Sequence, residues 1–259
     1  MCTVSWLRQD DGYQLFCNRD ERRTRKAASE PTIHERAGVC FIAPVDGDHG
    51  GSWIGVNEYG LSLCLLNLYP QLPEANSCRR PAPQDRAAPQ DFRSRGSLLI
   101  ELLDCTSSAA VKDRLLAATL SRFQPFTLLL LTGTNEPAVL TRWDGRVLLF
   151  ERAGDESLPL TSSSFRTIEV VAARRAQFRR LMADVTALSP DRLYDFHRSH
   201  EPSASASSVC LHRDDAETVS FSWINVAAGQ IEFLYYPQAL CRSESSTRVM
   251  LPLKDRSGI

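Results

Sequence analysis

Cys2 is the first residue whose chemistry stands out. Once Met1 is removed, its thiol lies beside its own α-amine. An α-amine titrates near 7.7–8.0 and so acts as a base at neutral pH. A thiol needs only a modest push to become a nucleophile. One residue then supplies nucleophile and base, a combination suited to acyl transfer from an amide or ester. Position alone does not establish this, because a second-position cysteine is ordinarily structural.

The elements that must carry Cys2 are legible. The pattern predicts a strand over 2–7, a hairpin at Asp11-Gly12, and a second strand over 13–17 running into Asn18-Arg19-Asp20-Glu21. Further strands are expected near 40–43, 53–56 and 61–66, with Asn57-Glu58-Tyr59-Gly60 as a tight turn. Residues 70–91 hold five prolines and read as an exposed loop, a candidate lid. Helices are expected over 97–103 and 109–120, then strands over 126–131, 138–143 and 147–151.

Thr161-Ser162-Ser163-Ser164 reads as a helix N-cap. The helix over 167–182 is expected to bury Ile168, Val171, Phe178 and Met182, leaving Arg174, Arg175, Arg179 and Arg180 in solvent. A short helix over 190–197 and strands over 209–212, 218–224 and 231–236 complete the chain. Adjacent hairpins imply antiparallel sheets. Helical blocks between strand blocks suit two packed sheets covered on both outer faces, in a single domain over 1–259.

The 259 residues are 43% hydrophobic and 24% charged, with net charge −1. That balance supplies no basic surface for nucleic acid. The longest apolar run, near 126–131, is far short of the ~20 residues of a membrane span. The start of the chain lacks a basic patch followed by an apolar core, so no secretory signal is expected. Eight widely spaced cysteines without a CxxC pair predict free thiols in a reducing, cytoplasmic compartment. Cys40, Cys64 and Cys210 sit in apolar strand patterns, where a thiol behaves as a small hydrophobe. His197 and His200 lie three apart with no metal motif beside them, so neither a metal nor a cofactor is expected.

The segments Cys17-Asn18-Arg19-Asp20-Glu21 and Gly50-Gly51-Ser52-Trp53-Ile54-Gly55-Val56-Asn57-Glu58-Tyr59-Gly60-Leu61 form two specific motifs. Leu160–Ser163 with Val170–Arg175, and Val209–Ser220, are two more. Together they resemble the NRDE family, also called the transport and Golgi organization family. That family in turn resembles the N-terminal-nucleophile hydrolases of the cholylglycine hydrolase and penicillin acylase branch. The resemblance implies an α+β fold, a four-layer αββα sandwich of two mainly antiparallel sheets. It implies Cys2 as nucleophile, Asp20 orienting its amine, and Asn67 as an oxyanion-hole donor.

Departures accompany the match. The hydrolases carry an arginine just before the asparagine, where this chain has Cys17; Arg19 follows Asn18 instead and is expected to face the other way. Ser162 and Ser163 stand where an asparagine is expected, so their hydroxyls would have to donate. Arg213 matches a supporting arginine only loosely. Arg19 with Asp20 also reads as a structural ion pair, and Asn67 as a turn residue before Pro70.

Two functions follow. One is an amidohydrolase or acyltransferase acting on a non-peptide C–N or acyl thioester bond of a small molecule. The other is a carrier or chaperone of a hydrophobic small molecule such as haem or an acyl lipid, suggested by the altered support residues; no Cys-Pro or CxxCH haem motif is present.

Overall fold

The computed structural model describes residues 2–69, 92–133, 136–183, 188–201, 203–227 and 229–254. The candidate lid over 70–91 lies outside the described residues. The chain opens with six strands: β1 (Cys2–Gln9), β2 (Gly12–Arg22), β3 (Ser29–Arg36), β4 (Val39–Val45), β5 (Ile54–Asn57) and β6 (Leu61–Asn67). Helices α1 (Arg95–Leu102) and α2 (Ser108–Ala117) follow, then β7 (Phe126–Thr132), β8 (Ala138–Trp143), β9 (Leu148–Ala153) and β10 (Leu160–Ser162). Helices α3 (Thr167–Met182) and α4 (Pro190–Arg198) precede β11 (Ala216–Ala227), β12 (Gln230–Tyr236) and β13 (Thr247–Pro252).

The strands form two sheets, ordered β10-β1-β2-β11-β12-β13 and β3-β4-β5-β6-β7-β8-β9. Every pairing is antiparallel. The α+β layering follows from side-chain alternation. In β7, Leu129 and Leu131 join the core between the sheets, while Phe126, Leu128 and Leu130 face a second core beneath α1 and α2. A strand buried on both faces reads as a continuous apolar run rather than an alternating one. The opposite outer layer is α3 and α4, whose Phe178 and Phe196 meet edge-on with ring centres 5.2 Å apart.

Local chemistry explains several boundaries. Ser107 caps α2 by accepting from the Ala110 amide at 3.1 Å, and Ser189 caps α4 with Pro190 at its first turn. The Asp11-Gly12 signal marks the right hairpin for a different reason. Gln9 pairs with Gly12, so the turn is Asp10-Asp11. Gly12 is required by close approach instead, because a Cβ there would lie 1.7 Å from the Val226 carbonyl oxygen on β11.

Four expectations need correction. Strands β3 and β13 carry weak patterns and were not foreseen. Residues 209–212 make only an isolated bridge, between His212 and Glu217. The cap of α3 is Arg166, at φ 42°, with no side-chain cap, rather than the 161–164 serine run. The buried face of α3 is Val170, Arg174, Gln177 and Phe178, while Ile168 is 57% exposed. An apolar stripe is a poor guide where the inward face carries a paired cation.

Candidate active site

Cys2 is placed by its two neighbouring strands. Its register partners are Ser162 on β10 and Arg19 on β2. The Cys2 backbone nitrogen donates to Ser162 Oγ at 3.1 Å. Residues directly opposite on adjacent strands project to one face. Cys2 and Arg19 therefore point together towards the second sheet, as do Val4 and Cys17.

A cleft of about 290 Å³ opens at this point, lined by Cys2, Arg19, Trp53, Asn67 and Arg95 among others. The expectation that Arg19 faces away is thus overturned. Positions 17 and 19 are two apart on a strand and share a face. The Arg19 guanidinium lies 4.1 Å from the Trp53 ring centre and pairs with Asp46. Asp46 also accepts from Arg25 at 2.5 Å and from the amides of Asp48 and His49. Burial opposes its ionisation, but these partners outweigh burial and hold its carboxyl below the usual range.

The Gly-Gly-Ser-Trp motif forms one wall. A Cβ on Gly51 would meet the Gly96 carbonyl carbon at 2.4 Å, and the Ser52 amide donates to the Gly96 carbonyl at 3.2 Å. The loop and the first turn of α1 thus touch backbone to backbone, which sets Arg95 into the cleft. Arg95 Nη1 donates to the Pro125 carbonyl at 2.9 Å, and among the described residues it has no ion-pair partner.

Asn67 lines the same cleft, and its Nδ2 donates to Tyr69 Oη at 2.9 Å. Cys17 occupies the floor between the sheets. Its hydrogen bond with Cys2, followed by burial, pushes the Cys2 thiol well above the ordinary range. Cys64 Sγ lies 3.8 Å from Cys17 Sγ, so three thiols form a row.

The remaining candidates do not line the cleft, although the charge of Asp20 still acts on the Cys2 thiol. Asn18 and Asp20 face the helices. Asn18 donates to the carbonyls of His197 at 2.8 Å and Val209 at 3.0 Å and so ties β2 to the end of α4 and to residue 209. Asp20 is fully buried and accepts from Arg174 at 3.1 Å and Thr218 at 2.6 Å. Ser163 donates to the Phe165 carbonyl at 2.6 Å and shapes the turn before α3. Arg213 stacks on Phe165 at 4.3 Å and pairs with Asp215, outside the cleft. Arg174 was missed: it is 1% exposed and also donates to Thr3, next to Cys2, at 2.5 Å. Its i, i+4, i+7 spacing with Val170 and Gln177 was the available signal.

The model of the family described as "Transport and Golgi organisation 2" matches residues 1–223. The chain belongs to that family. No curated protein sequence matches it significantly. Among solved structures, a mutant of the conjugated bile acid hydrolase from Clostridium perfringens is similar at 13% identity and a TM-score of 0.54, over 96% of this chain and 92% of that one. The N-acylethanolamine-hydrolyzing acid amidase ortholog of Caenorhabditis elegans is similar at 11% identity and a TM-score of 0.53, over 96% of this chain and 100% of that one. This member of the Transport and Golgi organisation 2 family thus has the fold of N-terminal-nucleophile hydrolases. Among its described residues no helix is long and apolar enough to cross a membrane.

Proposed function

We propose that the protein is an N-terminal cysteine amidohydrolase or acyltransferase acting on a non-peptide C–N or acyl thioester bond of a small molecule. The observation that carries this reading is the shared cleft of Cys2 and Asn67 at the head of β1. The two hydrolases of similar fold act on a bile acid conjugate and an N-acylethanolamine, which favours an acylated small molecule here.

In the proposed cycle Met1 has been removed and Ser162 Oγ holds the freed amine. The hydrogen bond with Cys17 and burial make a standing thiolate costly, so the thiol proton passes to the amine as sulfur bonds to the carbonyl carbon. Asn67 Nδ2 turns from Tyr69 to the developing oxyanion, a contact worth about 2.7–4 kcal/mol. The ammonium returns its proton to the leaving amine or thiol as the bond to carbon breaks. Water, deprotonated by the same amine, or a second amine then releases the acyl group. Arg95 offers an anchor for an anionic group on the substrate. Asp20 acts through Arg174 and Thr3 to fix β1 rather than by touching substrate.

The charged lining, with Arg19, Glu21, Asp46 and Arg95, favours this reading over carriage of haem or an acyl lipid. Incubation with a panel of N-acyl amides and acyl thioesters, followed by mass spectrometry, is the test. An acyl adduct on Cys2 that is absent from Cys2→Ala is expected. Turnover surviving Cys2→Ala overturns the assignment.

A further inference from the structure

Four residues with metal-ligand chemistry meet away from the cleft. His200, Cys210, His212 and Cys241 each offer a ligand atom, and all four atoms lie within 4.8 Å of one another. Cys210 Sγ is 3.6 Å from Cys241 Sγ and 3.5 Å from His212 Nε2, and His212 Nε2 is 3.2 Å from Cys241 Sγ. Zinc–sulfur bonds of about 2.3 Å and zinc–nitrogen bonds of about 2.0–2.1 Å, set tetrahedrally, place sulfurs about 3.8 Å apart and sulfur–nitrogen pairs about 3.6 Å apart. The observed spacings are close to those edges. A disulfide needs sulfurs about 2.05 Å apart, which this arrangement does not reach.

Position in the chain explains the convergence. His200 follows α4 by two residues. Cys210 and His212 are two apart in the chain and their side chains meet, Sγ to Nε2, at 3.5 Å. The Cys210 amide donates to the Ser199 carbonyl at 3.0 Å, which brings that pair beside His200. Cys241 comes from the turn after β12, closed by the Arg242 amide on the Ala239 carbonyl at 2.8 Å. A second observation also points to a ligand: His200 Nε2 is buried and has no hydrogen-bond partner among the described residues. A buried nitrogen left so is costly unless something supplies the missing contact.

We propose that His200, Cys210, His212 and Cys241 bind one zinc ion in a closed, structural site. Two thiols release two protons as their sulfurs bind, so zinc with two thiolates and two neutral imidazoles carries no net charge. Such a donor set suits zinc in preference to calcium or magnesium, which take oxygen ligands. With four protein ligands no position remains for a substrate, which separates the site from acyl-transfer chemistry. The ion ties together three segments with little regular pairing: the end of α4, residues 209–212 and the turn after β12.

The experiment uses the whole purified protein. Metal content after dialysis against zinc-free buffer with reductant is expected at about one zinc per chain. Titration of the zinc-stripped protein with cobalt alone is expected to give the visible bands of tetrahedral cobalt and a thiolate charge-transfer band. Cys241→Ser, at the surface, and His200→Gln are expected to keep the fold by circular dichroism and to weaken metal binding by more than about 100-fold. Wild-type protein without stoichiometric zinc or the cobalt bands overturns the proposal. So does recovery of Cys210 and Cys241 as a native disulfide, or undiminished metal binding in the folded Cys241→Ser variant.

Discussion

Cys2 and Arg19 face each other across β1 and β2 and line the same cleft. The cleft therefore carries a cation, two residues along the strand from Cys17 and about 7 Å farther on by the rise of a strand. Its charge is engaged by Asp46 and its plane by Trp53. Arg19→Met is expected to cost about 1–3 kcal/mol, less than loss of an isolated pair, because Arg25 remains on Asp46. Urea unfolding of the variant measures this.

The thiol row predicts a change in reactivity. Cys17→Ala removes the hydrogen bond that contributes most to raising the Cys2 thiol. The apparent pKa of Cys2 alkylation, followed by mass spectrometry against pH, is expected to fall. An unchanged profile contradicts the role given to Cys17.

The Arg174–Asp20 pair is expected to be among the most sensitive points of the fold. Both side chains are almost completely buried, so Arg174→Met strands a carboxylate and is expected to cost about 3–5 kcal/mol. Arg175→Met, on the exposed side of the same helix, is expected to stay within about 0.5 kcal/mol. Comparison of the two unfolding curves checks the assignment.

These residues show what was readable in advance. The doubly buried run 126–131 and the hairpins marked the sheets, because strand periodicity depends only on local pattern. The Gly-Gly-Ser-Trp motif marked a wall of the cleft, and Cys2 and Asn67, singled out through family resemblance, come together along it. Arg174 was lost because a buried cation looks like a solvated one until its partner is placed 154 residues away. Ser163 and Asn18 spend their side-chain hydrogen bonds inside the fold, Ser163 on the Phe165 carbonyl and Asn18 on two carbonyls and the His197 ring, which sequence does not show. The cluster of His200, Cys210, His212 and Cys241 escaped because its ligands come from three separate segments.

His197 predicts a pH dependence of stability. Burial, with Arg174 nearby, lowers its pKa to about 3, and it bonds Ser5 at 2.8 Å and Asn18 at 3.1 Å as a neutral ring. The unfolded chain takes up this proton near pH 6.5 but the folded chain does not. The contribution is thus full above about pH 6.5 and is lost progressively as pH falls towards 3. Melting temperatures between pH 7 and 4 are expected to fall less steeply for His197→Gln than for the parent.

The intact mass of the folded protein, expressed with translation starting at Met1, tests the central claim most directly. The account predicts a mass lower than the full chain by one methionine residue, leaving Cys2 with a free α-amine. A folded protein that retains Met1 lacks the base of the proposed cycle and contradicts the assignment of Cys2 as an N-terminal nucleophile.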